Sequence, residues 1–235
     1  MVGLAVLFFM PCMAFGEQAT LAAERSPVEM AKEHMRRGRI ALEKKQLSDA
    51  CFEFQSATRV LSNWWVPQLE YVRCARILGD EPEVLLARVD RILSIDERHA
   101  SLHHLRGILL EDLEKAHDAS GAYRRALEIA PWMVEASIGL CRTLFSAGKR
   151  GEALTVTLQT LEKRPNDVML LSQVASIYEE GGRNRELIPV LEKLALVSNR
   201  PTAALARLVR AYAAIGDESG RRDAMSRLEK MARLN

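Results

Sequence analysis

The chain lacks an excess of either charge: 33 Lys and Arg stand against 31 Asp and Glu, a net of +2, too near balance to mark a nucleic-acid binder. It is short of aromatics (6%) and of glycine and proline (13 and 8 residues), while Ala, Leu, Arg and Glu abound. That is helix-forming composition and points to an all-α fold. Cysteine is scarce, and beyond the N-terminal segment only Cys51, Cys74 and Cys141 remain, with no CxxC pair and no metal-type spacing. A disulfide framework is thereby excluded. A single Cys51–Cys74 bridge stays open in an oxidising compartment, because the helices carrying them are expected to be neighbours; the alternative is buried thiols acting as small hydrophobes. No GxxxxGKS, GxGxxG, HExxH, GxSxG or EF-hand spacing occurs, so neither a catalytic residue nor a cofactor is expected. With 48% hydrophobic and 27% charged residues, the chain has the apolar material for a sizeable core, which excludes disorder.

The longest uncharged stretch is Met1–Gly16, which reads VGLAVLFFMPCMAFG after the initial Met and ends where Glu17 restores polarity. It is shorter than the roughly 20 residues of a transmembrane helix and is broken by Pro11. Ala14-Phe15-Gly16 puts small residues at the −3 and −1 positions of a cleavage site, so residues 1–16 are expected to be a secretory signal peptide and 17–26 a short leader. An exported, periplasmic protein follows, with membrane contact only through the N-terminal segment if it stays uncleaved. Pro11 before Cys12 argues against a lipid-attachment site.

Behind the leader the sequence repeats. Pro131 and Pro165 lie 34 residues apart in ALEIAPWM and TLEKRPND, and Gly148, Gly182 and Gly216 recur at the same interval. Each of these glycines falls where a first helix should end, a place for the left-handed backbone conformation. Ser26-Pro27-Val28-Glu29 reads as an N-cap, a proline at the first helical position and a capping-box glutamate, so the first helix should begin near Pro27. Stepping by this period divides 27–235 into units at 31–64, 65–99, 100–133, 134–167, 168–201 and 202–235, the second carrying one extra residue.

Counting back from Pro131 meets Ala126, Tyr123, Ala119 and Gly107, and this spacing resembles the tetratricopeptide repeat. The small-residue position of the first helix holds Gly38, Val72, Gly107, Cys141, Ala175 and Val209; the aromatic position of the second holds Phe54, Val89, Tyr123, Thr157, Leu191 and Met225. Ala50, Ala119 and Ala153 open second helices, and Arg221 breaks that rule as a solvent-facing cap would. The early tryptophan of the family is missing, and Arg37 and Arg106 stand where a core leucine is usual. The resemblance implies a right-handed α-solenoid of about six helix-turn-helix units whose first helices line a concave groove.

In such a groove, positions 2, 5, 9, 12 and 13 of each unit would face the ligand. Position 9 holds Arg39, Arg73, Arg142 and Arg210 in four of the six units, and position 5 holds Met35, Leu69, His104 and Ile138 in the first four. An arginine row beside an apolar row would suit an acidic, partly apolar protein segment, since the guanidinium is a flat, permanently charged fork for carboxylates. Among the four arginines, Arg39 has an acid four residues on, at Glu43, while Arg142 and Arg210 have none three or four positions away. His99, His103 and His104 cluster, but no carboxylate or cysteine completes a ligand set, and no metal is expected. Trp64, Trp65 and Trp132 fall at unit junctions, where tryptophan is expected to plug the gap. The function implied is a non-catalytic scaffold or adaptor of the cell envelope that holds a partner segment and assists complex assembly. Alternatives are a recruiting subunit of a separate enzyme and a lipid-anchored assembly factor for a pilus or secretion pore.

Overall fold

The computed structural model describes residues 26–233, so the signal-peptide reading of 1–16 and nearly all of the leader lie outside the described residues. Twelve helices and no strand occur among them, joined in consecutive antiparallel pairs. α1 (Pro27–Glu43) pairs with α2 (Leu47–Val60), α3 (Trp65–Leu78) with α4 (Pro82–Leu93), and α5 (Ala100–Asp112) with α6 (Ala116–Ile129). α7 (Val134–Ser146) pairs with α8 (Arg150–Lys163), α9 (Val168–Glu180) with α10 (Asn184–Val197), and α11 (Thr202–Ile215) with α12 (Glu218–Ala232). None of these helices is long and apolar enough to cross a membrane.

Helix ends follow from local chemistry. The Ser26 hydroxyl accepts the Glu29 N–H at 3.2 Å and the Glu29 carboxylate accepts the Ser26 N–H at 3.0 Å, a complete capping box ahead of Pro27. At every turn from a first to a second helix one residue takes a positive φ: Lys45, Gly79, Glu114, Gly148, Gly182 and Gly216. The sequence pattern singles out the last three, but Lys45 and Glu114 adopt the same conformation at φ 60° and 59° with a Cβ in the way. Their neighbours hold them there, since Gln46 N–H donates to the Ala41 carbonyl and Lys115 N–H to the Leu110 carbonyl, both at 2.8 Å.

Close approach within a pair rests on a ring set into a glycine notch. A Cβ on Gly38 would lie 2.5 Å from the Phe54 ring, and Cβ atoms on Gly107 and Gly139 would lie 2.5 and 2.6 Å from the ring of Tyr123. Phe54 and Tyr123 are fully buried as a result. Where the notch is filled the ring is gone: Val72 meets Val89, and α3 and α4 make the loosest of the six pairs. In the last pair the roles reverse, with Tyr212 of the first helix set against Gly220 of the second at 2.5 Å from its would-be Cβ. Met225 is consequently 49% exposed and Ala224 takes the buried place, one residue earlier than the repeat predicts.

Three apolar clusters run along the stack and hand over at α5 and α9, so each pair is packed mainly by its neighbours. Cys51, Cys74 and Cys141 are all buried free thiols in this structure. Burial, and then the nearness of Cys51, pushes the Cys74 thiol up to about 11, so neither is prone to form a thiolate.

Two substitutions test these constraints in thermal melts. Glu114→Gly relieves a Cβ in the left-handed region and should stabilise the fold by about 0.5–1 kcal/mol. Gly107→Val forces two methyls into the Tyr123 ring and should destabilise it by about 2 kcal/mol.

Candidate functional site

Consecutive first helices touch, α3 with α5, α5 with α7 and α7 with α9, while second helices make no comparable contact with one another. The first helices therefore form the inner layer of the curve, and their exposed side chains line its concave face.

The structure divides the eight residues that the repeat positions single out. Met35 and Leu69 are 3% and 4% exposed and belong to the core rather than to an open apolar row. Burying such a side chain is worth about 1.5–3 kcal/mol, which a surface position forgoes. His104 and Ile138 are half-buried. Arg39 is exposed and makes no ion pair among the described residues. Arg73 meets Glu70, one turn away on α3, at 3.2 Å.

Arg142 and Arg210 are engaged by acids that the in-helix search does not reach. Arg142 grips Glu111 of the preceding first helix with both edges of its guanidinium, Nε donating to Oε1 at 2.9 Å. Arg210 lies 3.7 Å from Glu179, which Arg207 also holds at 2.9 Å. Glu111–Arg142 and Glu179–Arg210 are the same contact repeated two units along, each spanning 31 residues, and that spacing was available in the sequence. A third clamp joins α3 to α5 through Arg76 and Asp112, with a 2.7 Å bond from the second guanidinium nitrogen.

The clamp at Glu111 reaches into the core. The buried Tyr123 hydroxyl donates to Glu111 at 2.5 Å, so one carboxylate ties the notch of α5, α6 and α7 to the charge of the groove. Burial and then this hydrogen bond push the Tyr123 phenol up, and the Glu111 bond pushes the Arg142 guanidinium up. Beside it, the His104 ring lies 5.8 Å from that of Tyr123. Burial drives its pKa below 6.5, with Arg73 and Arg142 acting in the same sense and Glu135 and Glu111 against. Its neighbour His103 is also lowered by burial, although the Glu97 carbonyl bonds its Nε2 at 2.8 Å.

Outside the groove, Trp65 stacks on His99 at 4.4 Å beside a 520 Å³ cleft that Arg88 and Ile95 also line. Trp64 and Trp65 are half-buried and fill the junction, whereas Trp132 is 57% exposed and plugs nothing. It flanks a second cleft, of 310 Å³, together with Glu135 and Met169. No group of three or more His, Cys, Asp or Glu that could hold a metal occurs among the described residues.

His103 and His104 give stability a pH dependence of known sign. Both are held below their ordinary 6.5 in the folded chain, so the unfolded chain binds more protons as pH falls through that value. Their contribution is complete above about pH 6.5 and is lost on acidification. The melting temperature should therefore decline between pH 6.5 and 5, before carboxylates titrate, and His104→Gln should flatten that slope.

Neither a protein-family model nor a curated protein sequence matches the chain. Solved structures do. One described as a functional characterisation of Pseudomonas aeruginosa PilF superposes with a TM-score of 0.70 at 13% identity over 88% of this chain and 94% of that one. A tetratricopeptide repeat protein from Parabacteroides merdae gives 0.58 at 19% identity, covering 86% and 78%. YrrB, described as a tetratricopeptide protein with an unusual peptide-binding site, gives 0.56 at 17% identity, covering 74% and 90%. The likeness extends along the helix pairs, and the chain has the all-α solenoid fold of tetratricopeptide repeats.

Proposed function

We propose that the chain is a non-catalytic scaffold of the cell envelope that holds an acidic segment of a partner protein against α1 and α3 of its concave face. The observation that carries this reading is the unequal state of the four arginines. Arg142 is gripped by Glu111 of the preceding unit, and Arg210 lies near Glu179, which Arg207 also holds; Arg39 makes no ion pair among the described residues, and Arg73 pairs within its own helix, a kind of contact worth little. Position 12 of the first unit is Leu42 and not an acid, so no clamp reaches across to Arg73. Arg39, Arg73 and exposed Lys32 make the first two units cationic, and exposed Leu42 and Ile77 offer apolar contact there. The peptide-binding site attributed to YrrB lends support to a groove that takes an extended chain. Export rests on the apolar Met1–Gly16 stretch.

Crosslinking in intact cells, with the captured protein identified by mass spectrometry, tests the reading. Charge reversal at both Arg39 and Arg73 should cut capture by roughly tenfold or more, since charge-assisted hydrogen bonds are worth about 1.5–3 kcal/mol each. Reversal at Arg210 should matter less. Unchanged capture by the double variant would sink the proposal.

A further inference from the structure

The 310 Å³ cleft at the turns into α5, α7 and α9 is not explained by the scaffold alone. Its two flanks are apolar side chains left in water, Trp132 at 57% and Met169 at 60% exposure. Its inner wall is Ala100, Ala130 and the buried Val134. Charge at the cleft is one-sided. Arg164 and Asp167 sit 3.8 Å apart and offset each other, and Asp167 also caps α9 by accepting the Met169 and Leu170 N–H groups at 3.0 and 3.1 Å. Glu135 remains, exposed and without an ion pair among the described residues.

A cleft with an indole on one side, a thioether on the other and an unpaired carboxylate fits the side chain of arginine or lysine. The cation lies over the tryptophan face, the methylene stem covers methionine and alanine, and the head group bonds the carboxylate. Tryptophan is also the residue most enriched where binding energy concentrates.

We propose that this cleft takes a basic side chain of the bound segment, so that the groove reads charge polarity along its ligand. Resting on the reading above, the acidic part of the segment lies over α1 and α3 and a basic residue lies over the start of α7. First helices in contact are about 8–10 Å apart, so two to three steps separate the two places by about 16–30 Å. At about 3.3–3.6 Å per residue, the basic residue falls roughly five to nine positions from the acidic stretch. A uniformly acidic segment would leave Glu135 facing like charge, which is a means of rejecting wrong partners.

Fluorescein-labelled fifteen-residue peptides test this by anisotropy. Each carries a triple-glutamate stretch, intervening leucine and serine, and a single arginine seven residues away, synthesised in both chain orders. Against them stand versions with that arginine replaced by alanine or glutamate. In the better-binding order the arginine peptide should bind ~10-fold more tightly than the alanine peptide, the scale of a desolvated cation–π contact with a charge-assisted bond. The glutamate peptide should bind more weakly still. The arginine preference should vanish in Trp132→Ala and in Glu135→Gln, both surface changes whose melting curves should match the parent. Arg73→Glu should weaken the arginine and alanine peptides alike. Equal affinity for the arginine and alanine peptides, with both still sensitive to Arg73→Glu, would overturn the cleft and leave the acidic groove standing. No binding of any peptide in either order would overturn both.

Discussion

A ring lodged in a glycine notch sets how near two helices can come, and the working face of this molecule inherits its dimensions from that contact. Tyr123 is held between Gly107 and Gly139, so a single side chain spaces α5 from α6 and α6 from α7. Its hydroxyl cannot be left unpaired in that setting, because a buried polar group without a partner costs about 1–3 kcal/mol. Glu111 answers it and in turn carries Arg142. Core packing and surface charge are therefore one connected structure at the centre of the stack. At unit four the ring is absent, and buried Thr157 turns its hydroxyl back to the Ala153 carbonyl at 2.8 Å. The Gly139 notch on α7 takes the preceding unit's Tyr123 instead, so this unit is located partly by its neighbour.

Clamps between units decide which charges the groove can offer. An arginine at position 9 is available to a ligand only if position 12 of the preceding unit is not acidic. Two of the four arginines fail that condition, through Glu111 and Glu179. Such exposed pairs contribute little to stability, but they remove charge from the face where a partner would find it. They also link consecutive first helices. In the first two units Arg39 makes no ion pair among the described residues, and Leu42 leaves Arg73 without a clamp from the preceding unit.

Much of this fold was legible because a period of 34 repeats its punctuation: Pro131 with Pro165, and Gly148 with Gly182 and Gly216. What escaped depends on interactions that periodicity does not carry. Lys45 and Glu114 take a glycine's conformation because flanking backbone hydrogen bonds hold them, so nothing in their identity announces it. Tyr212 and Gly220 exchange the ring and the notch between helices, which shifts the α12 register by one and exposes Met225. Met35 and Leu69 share a helical face with the arginines, but a face is divided between core and groove by how neighbouring units close over it. The Glu111–Arg142 and Glu179–Arg210 pairs lie 31 residues apart, beyond any search confined to one helix.

Tryptophan illustrates the same division. All three stand at turns between units, and the sequence offers no way to tell Trp65 from Trp132. The difference lies in what each turn faces: Trp65 has His99 across the next turn and stacks on it, while Trp132 has small residues and Met169, none of which covers an indole. Leaving that indole more than half exposed forgoes on the order of 1 kcal/mol or more of burial that a smaller polar residue would not have needed. Phe54, Tyr123 and Tyr212 each fill a glycine notch, whereas the Trp132 indole fills none. The contact that would repay the exposure is an external one, and Glu135 beside it gives that contact a sign.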